Sequence, residues 1–529
     1  MNKFLNEMKS EQNYTVTENG AGALKSTMNA CLDAFGSLGA MRFSADEDVL
    51  RTFINAFNED RALAVKMAFY FRDIRGGQGT RKQFRTIMVW LANNYPEYVI
   101  HNLENFLFFG RGDDYLCLLD TPIKHQVISY LFALIKEDYI HFKANEPVSL
   151  LAKWLPSENA TSEQTKKYAR QLIKGFGWTP RQYRKLLTLL RNYIDVTEVK
   201  MSAKQWTEID YEKVPAKAAL AYAEAFNRHD EDRYIAYLTK VAMGEAKVNA
   251  ASLYPVDVVH KALALGYRAQ KKDIVLTDAM WKSLPNYLEG KDETGICVVD
   301  VSGSMSGTPM EVALSLGMYC ADKCHGPFQN HFITFSAVPE LQEVKGANIV
   351  EKLRNMTGAN WDMNTNLEAV FDLILDTAKR AHCSQDEIPN KLYIISDMQF
   401  DEARGAREQY GWYRNRSTPC RTFMQAMRMK YAAAGYTMPT IVYWNVRASK
   451  CGMFQTTFEG ENCCMVSGYS ASLFKSIIEG TTYEVEEVVT VNKETGMREV
   501  VQTLKATVDP MTVMLTTINN ERYDRVWVE

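Results

Sequence analysis

Asp300, Ser302 and Ser304 stand at alternate positions in C-V-V-D-V-S-G-S-M-S-G-T-P, residues 297–309, where an apolar run gives way to a helix start. A carboxylate and two hydroxyls so spaced, on a loop leaving the C-terminal end of a buried strand, can turn one face of hard oxygens toward a divalent cation. Two further loops offer oxygens: Thr365 in N-T-N-L opens a helix, and Asp397 in I-I-S-D-M ends a strand. The chemistry open to this set is narrow. A D-x-D phosphotransferase pattern needs a carboxylate at 302, where a serine stands. A metal-bound water could attack a phosphate ester, but no paired carboxylate or general base is placed to assist it. The eight histidines are scattered and no nucleophile motif occurs. The expectation is a binding site with no catalytic residues, and a metal-dependent phosphodiesterase is the third choice.

The elements that must hold these residues follow from periodicity. After residue 294, short apolar runs alternate with helices: strands at 296–301, 331–335, 392–396, 441–444 and 464–466, helices at 309–324, 367–379 and 473–478, and a turn with an edge element at 343–350. This alternation predicts a doubly wound, mostly parallel sheet, whose ligands sit beyond the strand C-termini at the switch point. Before residue 294 helical spacing dominates, already from 19–38, and no strand alternation stands out. The first half therefore reads as an all-α array of antiparallel helix pairs without a fixed period, and 276–290 as a linker.

Basic residues gather twice in that helical half. Residues 61–90 carry Arg61, Lys66, Arg72, Arg75, Arg81, Lys82 and Arg85 against Asp73 within the run. In F-R-D-I-R-G-G-Q-G-T-R, residues 71–81, Gly76, Gly77 and Gly79 make a tight helix connection or a phosphate cradle; the first is favoured, since no Walker pattern or preceding strand is present. The second cluster centres on the helix after Trp178, with Thr179 to cap it and Pro180 at its first position. Tyr183, Leu186, Leu187, Leu190 and Ile194 mark its apolar face, and Arg181, Arg184, Lys185 and Arg191 its basic side. Each run alone reads as a solvated face, whereas two runs with interleaved aromatics suit a phosphate backbone. The arginine- and aromatic-rich stretch at 401–435 is equally a surface insertion or a partner-contacting loop.

Composition sets the outer bounds. A chain of 529 residues exceeds one core, and 46% hydrophobic with 24% charged residues is globular. Neither a leader-like N-terminal segment nor an apolar spanning run is seen, so the expectation is a cytoplasmic protein with no membrane association, monomeric in solution. The ten cysteines form no C-x-x-C pair, and Cys320 with Cys324 reads as core rather than metal cluster. Arg111-Gly112-Asp113 reads as a turn. A net charge of -3 argues against uniform attraction to nucleic acid and leaves room for local patches.

Asp300-Val301-Ser302-Gly303-Ser304, with Thr365 and Asp397 following in order, resembles the metal-ion-dependent adhesion site (MIDAS) of von Willebrand factor A domains, whose pattern is D-x-S-x-S. The resemblance implies Asp300 and Asp397 as negative ligands and Ser302, Ser304 and Thr365 as neutral ones. The cation it implies is Mg2+ first, with Mn2+ or Ca2+ as alternatives, and one position stays open for a partner's carboxylate. Thr365 stands in N-T-N where many A domains carry G-T-D.

R-D-I-R-G-G-Q-G-T-R ahead of such a domain resembles the Ro autoantigen (TROVE) architecture. More narrowly, the chain is similar to an uncharacterised Ro-like branch through T-E-N-G-A-G-A at 17–23, Y-R-K-L-L-T-L-L-R at 183–191, F-I-T-F-S at 332–336, W-D-M-N-T-N-L at 361–367, S-D-M-Q-F-D at 396–401 and V-Y-W-N-V-R at 442–447. That resemblance implies a HEAT-like helical-repeat ring or horseshoe over 1–290. A Rossmann-like von Willebrand A domain would follow over 291–529, with an insertion at about 401–435 and a C-terminal segment returning toward the helical domain. It implies a non-enzymatic ribonucleoprotein component that binds small structured or misfolded non-coding RNA. Arg72, Arg75, Arg81 and Lys82 lie in or beside the shared motif, and Arg181, Arg184, Lys185 and Arg191 join them from the helix pattern. The alternative is a scaffold without RNA that captures an acidic partner residue at the cation.

Overall fold

The computed structural model of the chain describes residues 12–250, 253–266, 270–289, 294–359, 361, 365–401, 420–491 and 498–529. Chain contacts divide it into two units. One contains the segment ending at Ser44, Tyr254–Leu263 and Asn286–Asn520; the other contains Ala45–Leu253, Ala264–Pro285 and Glu521–Glu529. The first is a mixed α/β unit and the second is helical.

The α/β unit opens with strands that helical spacing did not announce. Tyr14–Val16 (β1) and Gly22–Leu24 (β2) pair antiparallel, and the helix expected from residue 19 begins only at Ala30. Asn29 caps it by accepting the Leu32 N–H, and Ser26 and Thr27 bond to Asp33 just before it. Side chains that bond the local backbone here favour turn over helix, which apolar spacing alone does not register. The helix Ala30–Ser37 then packs on the sheet, and Gly39 is required there, because a Cβ would lie 2.2 Å from the Ser467 carbonyl oxygen.

The main sheet has six strands: Ile296–Val299 (β3), His331–Thr334 (β4), Leu341–Glu343 (β5), Lys391–Ser396 (β6), Thr440–Asn445 (β7) and Cys463–Ser467 (β8). Their order is β5-β4-β3-β6-β7-β8, parallel except for the antiparallel edge β5. Every position of β3, β6, β7 and β8 is buried, as strands covered on both faces must be. The chain winds from β3 outward to β4, then crosses to β6 and winds the other way through β7 to β8. The carboxyl ends of β3 and β6 therefore flank the switch point. Of the turn and edge element expected at 343–350, the edge strand β5 ends at Glu343, and Ile349 and Val350 already belong to the helix Ile349–Thr357, capped by Asn348. A second antiparallel pair, Thr482–Val491 (β9) and Arg498–Thr507 (β10), follows the last sheet strand.

The helical unit is built on buried aromatics, with Phe53, Phe57, Phe69, Phe84, Phe106 and Phe109 each at most 1% exposed. Asp60 ends one helix and caps the next, Arg61–Arg72, by accepting the Leu63 N–H. The helix Pro180–Tyr193 carries the capping box Thr179–Gln182 and buries Tyr183, Leu187 and Leu190, while Leu186 and Ile194 are partly exposed. Of the stretch 276–290 read as a linker, 276–282 is the latter part of the helix Lys271–Lys282, held by buried Leu276, Met280 and Trp281, and the division between the two units follows it at Pro285 and Asn286.

Candidate cation site and the basic residues

Asp300 is the first residue beyond β3, and sheet register explains its surroundings. Val299 lies opposite Ile395, which brings Ser396 beside Asp300. The Asp300 N–H donates to the Ile395 carbonyl at 3.1 Å, and Ser396 Oγ donates to Asp300 Oδ2 at 2.7 Å. The other carboxylate oxygen accepts the Ser302 N–H at 2.8 Å, an Asx turn that bends the loop back over the strand end. The 3-10 turn Gly303–Met305, anchored by buried Met305, then sets the Ser302 and Ser304 hydroxyls 3.2 Å apart. Pro309 and Gly307, with its φ of +85°, start the helix Thr308–Lys323 behind them.

Asp397, one residue beyond β6, faces this loop: the Ser304 side chain hydrogen-bonds to it, and its Oδ1 accepts the Gln399 N–H at 3.2 Å. Asp300 is fully buried and Asp397 is 7% exposed. Burial pushes the Asp300 carboxyl up to about 6 against the bonds from Ser396 and Ser302, and the charge of Asp397 adds to the rise. Asp397 is raised mainly by burial, with Ser304, Gln399 and Arg447 opposing and Glu18 adding. Both carboxyls hold their protons more tightly than usual, chiefly because burial strips water from the charged form.

Thr365, 1% exposed, is held to the same strand-end loop. Its N–H donates to Asp401 Oδ2 at 2.5 Å and its Oγ1 donates to the Gln399 carbonyl at 2.9 Å. The structure thus brings Asp300, Ser302, Ser304 and Asp397 into one network, and ties Thr365 to it through Gln399 and Asp401. Asp362 to Asn364, beside it in sequence, lie outside the described residues, as does 402–419 of the arginine-rich stretch. Among the described residues no group of three or more Asp, Glu, His or Cys is arranged to hold a metal. This donor set has two carboxylates, and the remaining oxygens are hydroxyls.

Sequence reasoning missed the N-terminal buttress. Thr17 Oγ1 donates to the Phe400 carbonyl at 2.6 Å, the Glu18 N–H to Gln399 Oε1 at 2.8 Å, and Asn19 Nδ2 to the Gln399 carbonyl at 2.8 Å. T-E-N-G and S-D-M-Q-F-D were both visible as motifs. That one braces the other is a contact across some 380 residues with no local signal.

The basic residues divide. Arg72, expected on a nucleic-acid surface, is corrected: it is 2% exposed and forks onto fully buried Asp114. Arg85 takes the other oxygen of Asp114 at 2.7 Å and also pairs with Asp113, beside which Arg81 lies at 3.7 Å. The acidic partners are Asp113, in the Arg111-Gly112-Asp113 stretch read as a turn, and Asp114 after it, both at the start of the 3-10 helix Gly112–Asp120; Arg111 pairs with Asp113 at its head. Lys82 pairs with Asp46 at 3.1 Å. Arg184 pairs with Glu158, and Arg191 spends its guanidinium on the carbonyls of Ala152 and Leu155 and on Ser157 Oγ. Arg75 is exposed with one long bond to the Phe108 carbonyl, and Arg181 and Lys185 are exposed.

Cys320 and Cys324 are buried in the core of the sheet unit, each 1% exposed. Among the described residues no helix is long and apolar enough to cross a membrane.

Two family models match. Residues 17–109 and 162–291 match a domain of unknown function, DUF2828, and residues 294–518 match a second, DUF7788. A protein of Acanthamoeba polyphaga mimivirus, "Uncharacterized protein L728", is 30% identical over 511 residues, covering 89% of this chain and 86% of the viral one. The chain belongs to the family of that viral protein, with a DUF2828 match over its helical region and a DUF7788 match over its sheet.

Proposed function

We propose that the sheet unit is a von Willebrand A-like, MIDAS-type module in a TROVE-like protein whose helical unit is a HEAT-like repeat, and that it binds an acidic side chain of a protein partner through a divalent cation without catalysing a reaction. The convergence of two buried, proton-hungry carboxylates and two hydroxyls at the switch point carries this reading. A cation relieves that charge, and the donor set of carboxylate and hydroxyl oxygens suits Mg2+ first, with Mn2+ or Ca2+ as alternatives. Asp300, Ser302, Ser304, Thr365 and Asp397 would hold it. The cation would supply an electrophilic position for a carboxylate oxygen. The chain's own residues orient that position: Ser396 fixes Asp300, Gln399 fixes Asp397, and the N-terminal buttress fixes Gln399.

RNA binding is the second reading, favoured by the exposure of Arg181 and Lys185 on the helix Pro180–Tyr193. It ranks second because most basic residues of the two runs already have carboxylate or carbonyl partners. We place the protein in the cytoplasm as a monomer.

One experiment separates the two. Binding of the purified protein to an immobilised glutamate-rich peptide is measured in Mg2+ and in EDTA, beside binding to a structured small RNA over a salt series. Peptide retention that needs Mg2+ and disappears in Asp300→Asn supports the proposal. Equal retention in EDTA sinks it. RNA binding with a steep salt slope, reduced in Arg181→Glu/Lys185→Glu, moves the second reading ahead.

A further inference from the structure

The Gly-rich loop of the helical unit has a purpose that phosphate binding does not supply. Gly77 lets the chain double back on itself, since a Cβ there would lie 1.9 Å from the Tyr70 carbonyl oxygen. The Gln78 N–H bonds to Tyr70 O, the Gly79 N–H to Asp73 O and the Thr80 N–H to Phe71 O, closing a tight loop around Asp73. Asp73 then serves residues far along the chain. Arg522 forks onto it, Nη2 to Oδ1 at 2.9 Å and Nε to Oδ2 at 2.5 Å, and the Tyr523 hydroxyl donates to Oδ2 at 3.2 Å.

The contacts continue residue by residue along 101–109. The Tyr523 ring stacks on Phe109 at 5.4 Å and 18°. The Arg525 guanidinium lies 3.8 Å over the Phe108 ring, its Nε donates to Asn105 Oδ1 at 2.6 Å, and its carbonyl accepts Asn105 Nδ2 at 3.1 Å. Asn102 treats Trp527 as a neighbouring strand would: Oδ1 accepts the Trp527 N–H at 2.9 Å and Nδ2 donates to its carbonyl at 2.8 Å. The indole stacks on His101 at 4.4 Å and 30°.

We infer that this face, built from the Asp73 loop and residues 101–109, recognises a tightly turned Arg-Tyr-x-Arg-x-Trp peptide, and that residues 522–527, which leave the 3-10 turn Glu521–Tyr523 through a further turn at 523–526, are its occupant in cis. A tail merely packed into a core is held by buried apolar side chains. Here only Tyr523 and Val526 are buried, and most of the holding is polar. Paired amide bonds to a peptide main chain give affinity independent of sequence, while the carboxylate seat and aromatic shelves select arginine and aromatic side chains. Asp524, with 66% of its side chain exposed, pairs with Lys66 Nζ at 3.2 Å, a solvent-screened contact that selects this position only weakly.

The test uses the full chain. A fluorescein-labelled peptide of residues 521–529 is titrated into Arg522→Ala/Trp527→Ala, whose own tail is weakened, and into wild type, with anisotropy as readout. The double variant binds saturably, and wild type binds at least about tenfold more weakly, because the tail in cis competes at near-millimolar effective concentration. Adding Asn102→Ala abolishes binding to the double variant. In wild type, excess unlabelled peptide speeds amide hydrogen exchange at 526–528 and a scrambled peptide does not. A folded double variant that does not bind the peptide, or binds it indifferently to Asn102→Ala, overturns the proposal. If the double variant does not fold, exchange in wild type decides, and exchange unchanged by excess peptide overturns it.

Discussion

Replacing Asp300 by asparagine should strengthen the cation-free protein and abolish its response to cation. The carboxyl sits at about 6 against an ordinary value of 3.8, so ionising it in place at neutral pH costs roughly 2.2 × 1.36, about 3 kcal/mol. Asparagine removes that cost. Its Oδ1 can keep the Ser302 N–H bond, and its amide can turn toward Ser396, whose hydroxyl rotates to accept. Some of the gain is lost to this rearrangement, and roughly 1–3 kcal/mol should remain, a rise of several degrees in the melting temperature of the sheet unit. In wild type Mg2+ should relieve the same cost by pairing with the ionised carboxylate, adding about 2.7 kcal/mol when its concentration is 100 times the dissociation constant. The assay is thermal unfolding of both proteins at pH 7.5 in EDTA and in saturating MgCl2. Wild type should melt lower than Asp300→Asn in EDTA and gain on adding Mg2+, whereas the variant should not respond. A variant less stable than wild type in EDTA, or a wild type indifferent to Mg2+, Mn2+ and Ca2+ alike, refutes the reasoning.

The same carboxyl sets a pH dependence. Its raised value makes the native chain bind the proton more tightly than the unfolded one, so this contribution to cation-free stability is fully present below about 4 and is lost as pH rises through about 6. Urea unfolding in EDTA should show it as a gain on going from pH 7 to pH 5, reduced in Asp300→Asn to what the raised carboxyl of Asp397 still supplies. With Mg2+ the sign reverses, since protons and cation compete for the same oxygens, and apparent Mg2+ affinity by calorimetry should fall below pH 6. Arg72→Ala leaves buried Asp114 with one guanidinium, Arg85, and the Arg111 N–H, and should cost about 3 kcal/mol in chemical denaturation of the helical unit. Gly77→Ala drives a methyl into the Tyr70 carbonyl and should cost about 2–4 kcal/mol by the same measurement. An exposed control, Lys185→Ala, should change stability by less than about 0.5 kcal/mol.

Strand-ending aspartates and helix-opening hydroxyls were legible in the sequence because a parallel sheet writes them locally. Apolar runs fix β3 and β6, and Asp300 and Asp397 are the first polar residues to leave them. What supports them was not legible. Ser396 Oγ reaches Asp300 only because β6 pairs with β3 in one register, and Gln399 is braced by Thr17 to Asn19 from the other end of the chain. The hairpin at 14–24 was lost for a related reason. Its small and apolar residues recur at helical spacing, but positive φ at Gly20 and the side-chain bonds of Asn13 and Thr17 to the backbone decide for strand and turn.

The basic runs show the converse error, in which residue types were legible and their electrostatics were not. Counted along 61–90, seven cations faced one carboxylate. Folding brings Asp113 and Asp114 against Arg72, Arg81 and Arg85, and Asp46 against Lys82. Asp73, counted against the local cations, is held instead by Arg522. A polyanion approaching this surface must displace carboxylates already within ion-pair distance, which removes most of the counterion-release gain that drives nucleic-acid binding. At Asp73 an arginine-bearing peptide has only Arg522 of the same chain to displace, an exchange of like for like, and a cation held by Asp300 and Asp397 would leave a position open to a carboxylate. On the proposed reading the charge arrangement of each unit suits protein partners better than RNA, and the salt slope of RNA binding, expected to be shallow, is the quantity that decides it.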